Sequence, residues 1–471
     1  MQFIVCETTP LVLSLLLSLS PDYQPFLLLA LRRWFPDWDE HVTGQGGFIV
    51  PWDVNFHASG FRLSSPTTVY PNPDPSVLPP HPNIPRERLP ESFCLSRAKF
   101  EPLLRKLVVE HRKNIRIVNG LVTGFLRKGD TKNLTGVTYT TGSADTTEQR
   151  ATLVVDCSGP AMAGLKALRR LVNSAEAFQT SSYSPKIRYA TVTFKVKEEI
   201  KDRLPIPGGY NNAGWFYTHM SIGTIDRSIF LGARIEDDQS RFIFLRCVRF
   251  PTLTPLPVQI GFGGWGYTPS QIPHSADELI AFHESLEQAD GRPSPIWFTE
   301  VIKLLCADGG WEDSIYEECA MRMSPLHFPC PMQAHIIWDS VANVTQVLYA
   351  KSESVPPNFV AIGDSVLQSN PAYGFGATKA CVGAVTLAGL LAKIRSTEIP
   401  APFALLFFRK QHMRTGWTWE GAKVADYVFD STEPCEGEKK DRSALATKTM
   451  VSWFRVCEKV GQLLYTRGNP F

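Results

Sequence analysis

The sequence predicts an α/β chain, α+β overall, in which an incomplete nucleotide-binding domain is interrupted by a largely antiparallel sheet and followed by a helical segment. Three observations carry this expectation. Val360-Ala361-Ile362-Gly363-Asp364 reads as an apolar strand that stops at a turn. After a short polar loop come Asn370-Pro371-Ala372-Tyr373-Gly374-Phe375-Gly376 and a helix over residues 377–394, rich in small side chains. Leu153-Val154-Val155-Asp156-Cys157-Ser158-Gly159 repeats the strand-to-acid pattern in front of a helix over 162–172. Between residues 187 and 264 the rhythm is strand after strand, with no long helix.

Taken in order, residues 26–35 are apolar at helical spacing and end in Pro36-Asp37, a helix and its stop. Residues 64–91 are proline-rich and read as an irregular surface loop. Ser96 caps a helix over 97–111, and strands follow at 116–118, 122–127, 136–140 and 151–155. The sheet region offers strands at 189–196, 214–219, 228–235, 242–250 and 257–262. Ser275 and Glu278 form a capping box for a helix carrying Leu279, Ile280, Phe282 and Leu286. Strands at 335–338 and 346–350 lead back to the Asp364 strand, and helices are expected at 403–413 and 450–464. The apolar stripe of the last helix (Met450, Trp453, Phe454, Cys457, Val460, Leu464) reads as core packing.

A chain of 471 residues can bury a large core and divide into two or three domains. A net charge of +2 argues against a nucleic-acid partner. Ten cysteines are scattered, with no Cys-x-x-Cys and no His or Cys at metal-ligand spacing, so they read as idle thiols of a reducing, cytoplasmic compartment and no metal is expected. The apolar runs at 11–19 and 26–31 are each too short to span a bilayer, and no basic residue precedes Leu11 as a signal peptide requires. A buried segment or an atypical chain start is the reading. Peripheral membrane contact through 11–19 and the Trp453 helix is a weaker one.

The chemistry points to a flavin. A carboxylate at a strand's end, Asp364, suits ribose or ribityl hydroxyls, and Gly363, Gly374 and Gly376 allow backbone to approach a ligand closely. The bare amides of a helix start at Gly376-Ala377 suit an anion. The plainer alternative is an ordinary strand–turn–helix.

These residues resemble the FAD-dependent monooxygenases of the aromatic-hydroxylase (p-hydroxybenzoate hydroxylase-like) fold, of fungal and bacterial type. Gly363-Asp364 with Asn370-Pro371 and Gly374-Phe375-Gly376 is similar to that family's Gly-Asp motif, whose acid holds the flavin's ribityl or ribose and whose helix start faces the isoalloxazine pyrimidine edge. Asp156-Cys157-Ser158-Gly159 is similar to the family's Asp-x-x-Gly, near the cofactor, with Pro160 where many relatives carry arginine. Ser96-Arg97 is similar to its Ser-Arg pair, whose arginine approaches the FAD phosphates. Gly263-Gly264-Trp265-Gly266-Tyr267-Thr268-Pro269 looks like the end of its substrate-domain sheet. Trp417-Thr418-Trp419 superficially resembles a halogenase Trp-x-Trp motif, but it stands after the Gly-Asp motif and reads as C-terminal packing. The resemblance covers about residue 24 onward.

It implies an incomplete Rossmann-like FAD-binding domain (1–180), an inserted β-sheet substrate domain (181–350), a second FAD-binding segment (351–400) and a C-terminal helical segment (401–471). The implied cofactor site comprises Arg97, Asp156, Gly159, Gly363, Asp364, Pro371, Gly374, Gly376 and Ala377; Arg188, Tyr189, Trp215 and Tyr217 are its substrate-side candidates, and no catalytic base is identified. The implied activity is that of an oxidoreductase of secondary metabolism. NADPH or NADH reduces FAD, and a flavin C4a-hydroperoxide formed with molecular oxygen hydroxylates or epoxidises an apolar or aromatic small molecule. One departure is large. The family opens with a strand, Gly-x-Gly-x-x-Gly and a helix that cradle the ADP half of FAD, whereas the first glycine here is Gly44. Residues 1–19 can supply one replacement strand or helix but no pyrophosphate site. The second reading is therefore a truncated, catalytically inactive flavoprotein-like binding or scaffold protein.

Overall fold

The computed structural model describes residues 3–6, 25–51, 56–58, 61–62, 91–111, 114–129, 131–142, 145–207, 209–220, 227–234, 257–286, 293–319 and 343–440. The sequence readings at 11–19, 64–90, 242–250, 335–338 and 450–464 lie outside the described residues.

Two sheets organise what is described. The smaller is parallel, with Leu153–Asp156 between Phe3–Cys6 and Phe359–Ala361. Its central strand is buried along its whole length, as a parallel sheet covered on both faces requires. Phe3–Cys6 is the single replacement strand that the N-terminal segment was expected to offer. Its apolar side chains share one core with Leu165 and Leu168 of the Ala163–Val172 helix and with Phe403, Phe407 and Phe408 of the Phe403–Tyr427 helix. A three-stranded antiparallel ribbon, Leu121–Arg127, Leu134–Thr140 and Thr147–Arg150, leads into it.

The larger sheet has seven strands in the order Ile315–Cys319, Ile187–Lys195, Pro257–Trp265, Ser228–Arg234, Trp215–Met220, Phe56–Ala58, Phe61–Arg62. Every pairing is antiparallel except that between Trp215–Met220 and Phe56–Ala58. Ala190, Val192, Phe194, Phe230, Ile260 and Phe262 share one face, covered by the helices Ala276–Glu284 and Ile296–Cys306. These α and β layers give the mixed architecture that the sequence predicts, with five of the seven strands of the larger sheet lying in sequence between the second and third strands of the parallel sheet.

Local differences have local causes. Residues 116–118 form no strand; Ile117 is half exposed and no described strand pairs with it. The helix expected at 403–413 runs on to Tyr427, because Thr415, Gly416, Thr418 and Ala422 are small enough to pass through the core. The helix Ile296–Cys306 was not foreseen: its exposed face carries only Glu300 and Lys303 as polar residues, a weak stripe in an otherwise apolar run. Ser275 Oγ accepts the Glu278 amide at 3.2 Å, but the Glu278 carboxylate reaches the His274 amide (2.6 Å) in place of Ser275, half of the capping box. The strand placed at 346–350 is Val344–Val347, paired with Thr180–Tyr183 outside both larger sheets. Among the described residues no helix is long and apolar enough to cross a membrane.

Candidate functional site

The site begins where the parallel sheet ends. Ala361 pairs with Asp156, and the Ile362 amide continues the ladder to the Asp156 carbonyl at 2.9 Å. Gly363 then turns the chain with φ +67°, a conformation that favours glycine. A Cβ there would lie 3.3 Å from Ala380 Cβ, so the turn presses directly on the following helix. Asn370 caps the turn Pro371–Tyr373, its Oδ1 accepting the Ala372 amide at 3.1 Å, and Gly374 closes it with φ +65°. The helix Gly376–Leu391 starts next, with no side chain capping its first amides. Among the described residues no acceptor takes the amides of Gly376, Ala377 and Thr378. Four orphan donors are normal at a helix start, and uncapped ones carry the positive end of the dipole.

Both acidic motifs meet here but behave differently. The Asp156 side chain is fully buried and accepts the amides of Ser158 (2.9 Å) and Gly164 (3.0 Å). Burial pushes its pKa up, against those hydrogen bonds, which pull it down. Ser158 Oγ accepts the Ala163 amide at 2.7 Å. The first amides of the Ala163–Val172 helix are thus consumed by the chain itself and are not offered to a phosphate. Gly159, φ +62°, gives its amide to Ser365 Oγ at 2.9 Å, tying the second motif to the Gly363 turn.

Asp364 is held by a residue that sequence reasoning missed. Lys379, one turn into the helix and 3 % exposed, places Nζ 2.6 Å from Asp364 Oδ1, and the same ammonium donates to Ser369 Oγ at 3.3 Å. A lysine on a small-residue helix signals a solvated face, so nothing in the spacing marked it.

A second missed residue is Asp426, in the last turn of the Phe403–Tyr427 helix and fully buried. Its Oδ1 accepts from Trp265 Nε1 (2.8 Å), Asn370 Nδ2 (2.9 Å) and Tyr373 Oη (2.9 Å), and its Oδ2 from Tyr183 Oη (2.8 Å). Desolvation raises its pKa to about 6 while the four hydrogen bonds oppose the rise. Trp417 packs edge-on against Phe375 (5.4 Å between centroids) and Trp419 against Tyr183 (5.3 Å), so both tryptophans serve packing.

The remaining sequence candidates stand on the large sheet and on the Arg97–His111 helix. Arg97 opens the Arg97–His111 helix; its side chain and that of Trp215 lie outside the described residues. Arg188 is buried and donates to Glu318 on the neighbouring strand at 3.2 Å. Tyr189 is buried, in register with Gly263. Tyr217 stacks on Phe298 (4.4 Å, 23°), in the core on the helix-covered face of the large sheet. A cavity of about 180 Å³ lies beside Asp156, Ser158, Lys166 and Arg170, and a smaller one of about 60 Å³ beside Gln346 and His412. Neither opens onto the Gly374–Ala377 turn, and both fall short of the roughly 300 Å³ at which ligand pockets begin. Asp37, His41 and His111 bring three ligating atoms within 4.8 Å of one another at the surface, which sequence spacing did not show; His41 already pairs with Asp37 at 2.9 Å.

The fit to a flavin is divided. Free helix-start amides, a glycine turn and a carboxylate–ammonium pair suit the pyrimidine and ribityl half of the cofactor, whereas no uncommitted amide cradle for a diphosphate exists among the described residues.

No family model and no curated protein matches this chain. Solved structures do. A triple mutant of the flavin-dependent brominase Bmp2 superposes with a TM-score of 0.52 at 13 % identity, over 98 % of this chain and 86 % of that one. The myxobacterial chondrochloren halogenase CndH, a variant of FAD-dependent halogenases, gives 0.49 at 15 % identity, over 99 % and 90 %. The 2-methyl-3-hydroxypyridine-5-carboxylic acid oxygenase gives 0.45 at 12 %, over 86 % and 78 %. At such identities the likeness speaks for the fold. With its parallel sheet ending at Gly363-Asp364 and its largely antiparallel larger sheet, the chain has a mixed α/β fold like that of the Bmp2 brominase structure.

Proposed function

We propose that the chain is a flavin-dependent oxidoreductase of the monooxygenase type, acting with FAD, a nicotinamide reductant and molecular oxygen on an apolar or aromatic small molecule. The observation that supports this most directly is the start of the Gly376–Leu391 helix, where three uncapped amides follow a left-handed glycine turn beside the Asp364–Lys379 pair. Bound FAD supplies the redox chemistry and the activation of oxygen. The residues of this chain do the rest. Asp364 accepts from ribityl hydroxyls, with Lys379 Nζ holding its Oδ1 in place. The amides of Gly376 and Ala377 face the pyrimidine edge and favour negative charge there. Asp156 and Gly159 hold the loop against which the Gly363 turn is seated. The domain divisions at 180, 350 and 400 belong to the same proposal: the substrate lies between the large sheet and this turn, with Tyr189 and Trp215 on its strands.

The absorption spectrum of the purified full chain tests this. Flavin bands at near-equal stoichiometry, or uptake of added flavin with loss of its fluorescence, are expected, and Asp364→Ala should weaken retention by about 10-fold or more, the scale of a lost charge-assisted hydrogen bond. Colourless protein that takes up no added flavin overturns the proposal in favour of a binding protein. NADPH oxidation with and without halide then separates oxygenation from halogenation.

A further inference from the structure

Asp426 joins four elements that the sequence keeps far apart: the strand Thr180–Tyr183, the end of the strand Pro257–Trp265, the turn at 370–373 and the Phe403–Tyr427 helix. All four donors are neutral; Oδ1 takes three of them and Oδ2 one, so the carboxylate gathers all four elements as a pure acceptor. An ionised carboxylate can only accept. It therefore fixes which end of the Asn370 amide faces it: Nδ2 must turn to Asp426, which leaves Oδ1 for the Ala372 amide. Tyr373 must likewise donate, which seats its ring, and the Phe375 ring lies 6.3 Å from it at the foot of the helix start.

We propose that Asp426 is a positioning residue for the turn from Asn370 to Gly376, setting through Asn370 and Tyr373 where the first amides of the Gly376–Leu391 helix stand. The consequence for a bound flavin rests on the function proposed above; the effect on the turn does not. Protonating Asp426 removes the charge that strengthens these four hydrogen bonds. Among the described residues, the titratable and charged groups near it include Tyr183 and Tyr373 among its donors, Tyr427 and Lys423 on its own helix with Glu438 bonded to both, and Lys379 beside Ser369 on the turn side. Burial holds both donor tyrosines far above neutrality, so they stay protonated throughout. Asp426, with a pKa near 6, is the member of this group that changes charge between pH 5 and 8.

The test is hydrogen exchange of the ligand-free full chain, read on peptides spanning 369–378 and, as a control, 150–157. In Asp426→Asn, exchange across 369–378 should accelerate about 10-fold, the scale of one lost hydrogen bond to a charged group, with the control peptide unchanged. In the unaltered chain the same peptide, corrected for intrinsic rate, should exchange faster at pH 5 than at pH 7.5, and in Asp426→Asn it should show no such dependence. Unchanged exchange in 369–378, or equal acceleration in both peptides, overturns the proposal. Should Asp426→Asn fail to fold, Tyr373→Phe is read by the same criteria, with a smaller expected acceleration. A riboflavin titration runs in parallel. If the unaltered chain binds riboflavin, Asp426→Asn should bind it about 10-fold less tightly. If it binds none, the flavin reading fails while the exchange result still judges the role of Asp426.

Discussion

Lys379 and Asp364 show how little a residue's type says about its place. The ammonium is almost wholly buried and the carboxylate side chain only 15 % exposed, so each is the other's main compensation for lost water. Removing one member of such a pair leaves an uncompensated charge, a loss of about 3–5 kcal/mol in buried cases and somewhat less here because Asp364 keeps some contact with water. Lys379→Met should therefore lower the unfolding free energy by roughly 2–4 kcal/mol in urea titration, and a second change, Asp364→Leu, should restore most of it. A loss below about 0.5 kcal/mol would mean that the pair is solvated like a surface one. Asp426 makes a prediction of the opposite kind. Its carboxyl titrates at about 6 in the fold against 3.8 as the reference value, so the folded chain holds this proton more tightly than the unfolded chain. The stabilisation is complete below about pH 4 and is lost as pH rises through 6, and two units correspond to about 3 kcal/mol. The stability difference between the unaltered chain and Asp426→Asn should shrink by that order between pH 4 and 7 in denaturant titrations. A difference that stays flat with pH would show that Asp426 does not titrate in this range. The whole fold gains by shedding the buried charge while the Asn370 turn loses an acceptor, and the two readouts separate these effects.

At the scale of elements, the site depends on how closely the Gly376–Leu391 helix lies on the strand that feeds it. A Cβ on Gly383 would stand 2.8 Å from Ile362 Cγ2 and 3.1 Å from Gln411 Nε2, so the helix touches both the strand end and the Phe403–Tyr427 helix through a residue with no side chain. Gly383→Ala should cost about 1–3 kcal/mol despite the better helix propensity of alanine, because overpacking outweighs it. A gain in Tm would show that the neighbours give way freely. This arrangement was partly legible. The apolar run at Val360, the Gly363-Asp364 stop and the small-residue helix appear in the sequence as they stand in the fold, since each follows from local preference. The antiparallel strands between 187 and 264 were readable for the same reason, from their spacing and β-branched or aromatic content. Partners were not. The donors to Asp426 lie 53 to 243 positions away, and a single aspartate near a helix end gives no sign that four side chains converge on it. The orientation of Tyr217 was also hidden, because the register shift between Trp215 and Tyr217 decides which face of the sheet it joins.

For the molecule as a whole, the parallel sheet keeps the strands of a dinucleotide-binding fold while the described residues keep only one half of its ligand chemistry. In the Rossmann arrangement the diphosphate sits on uncommitted amides at a glycine loop and helix start. Here Phe3–Cys6 pairs in parallel with Leu153–Asp156, but the amides of Ser158, Ala163 and Gly164 are bound by Asp156 and Ser158, so the first two amides of the Ala163–Val172 helix are already taken. The cavity at that place, about 180 Å³, is rimmed by Lys166 and Arg170, whose charges attract an anion with no free backbone amides from Ser158, Ala163 or Gly164 beside them. The isoalloxazine and ribityl should then carry nearly all of the binding, with the adenylate adding little. Titration of the full chain with riboflavin, FMN and FAD, followed by quenching of flavin fluorescence, should give dissociation constants within about tenfold of one another, or about 1.4 kcal/mol. Raising the salt concentration should narrow that spread further, because what attraction the phosphates feel is exposed and screened. An FAD affinity a thousandfold above that of riboflavin, about 4 kcal/mol, would require a built diphosphate seat contributed from outside the described residues. That result would make the Gly374–Gly376 turn one anchor of two, and the loss caused by Asp364→Ala would fall with it.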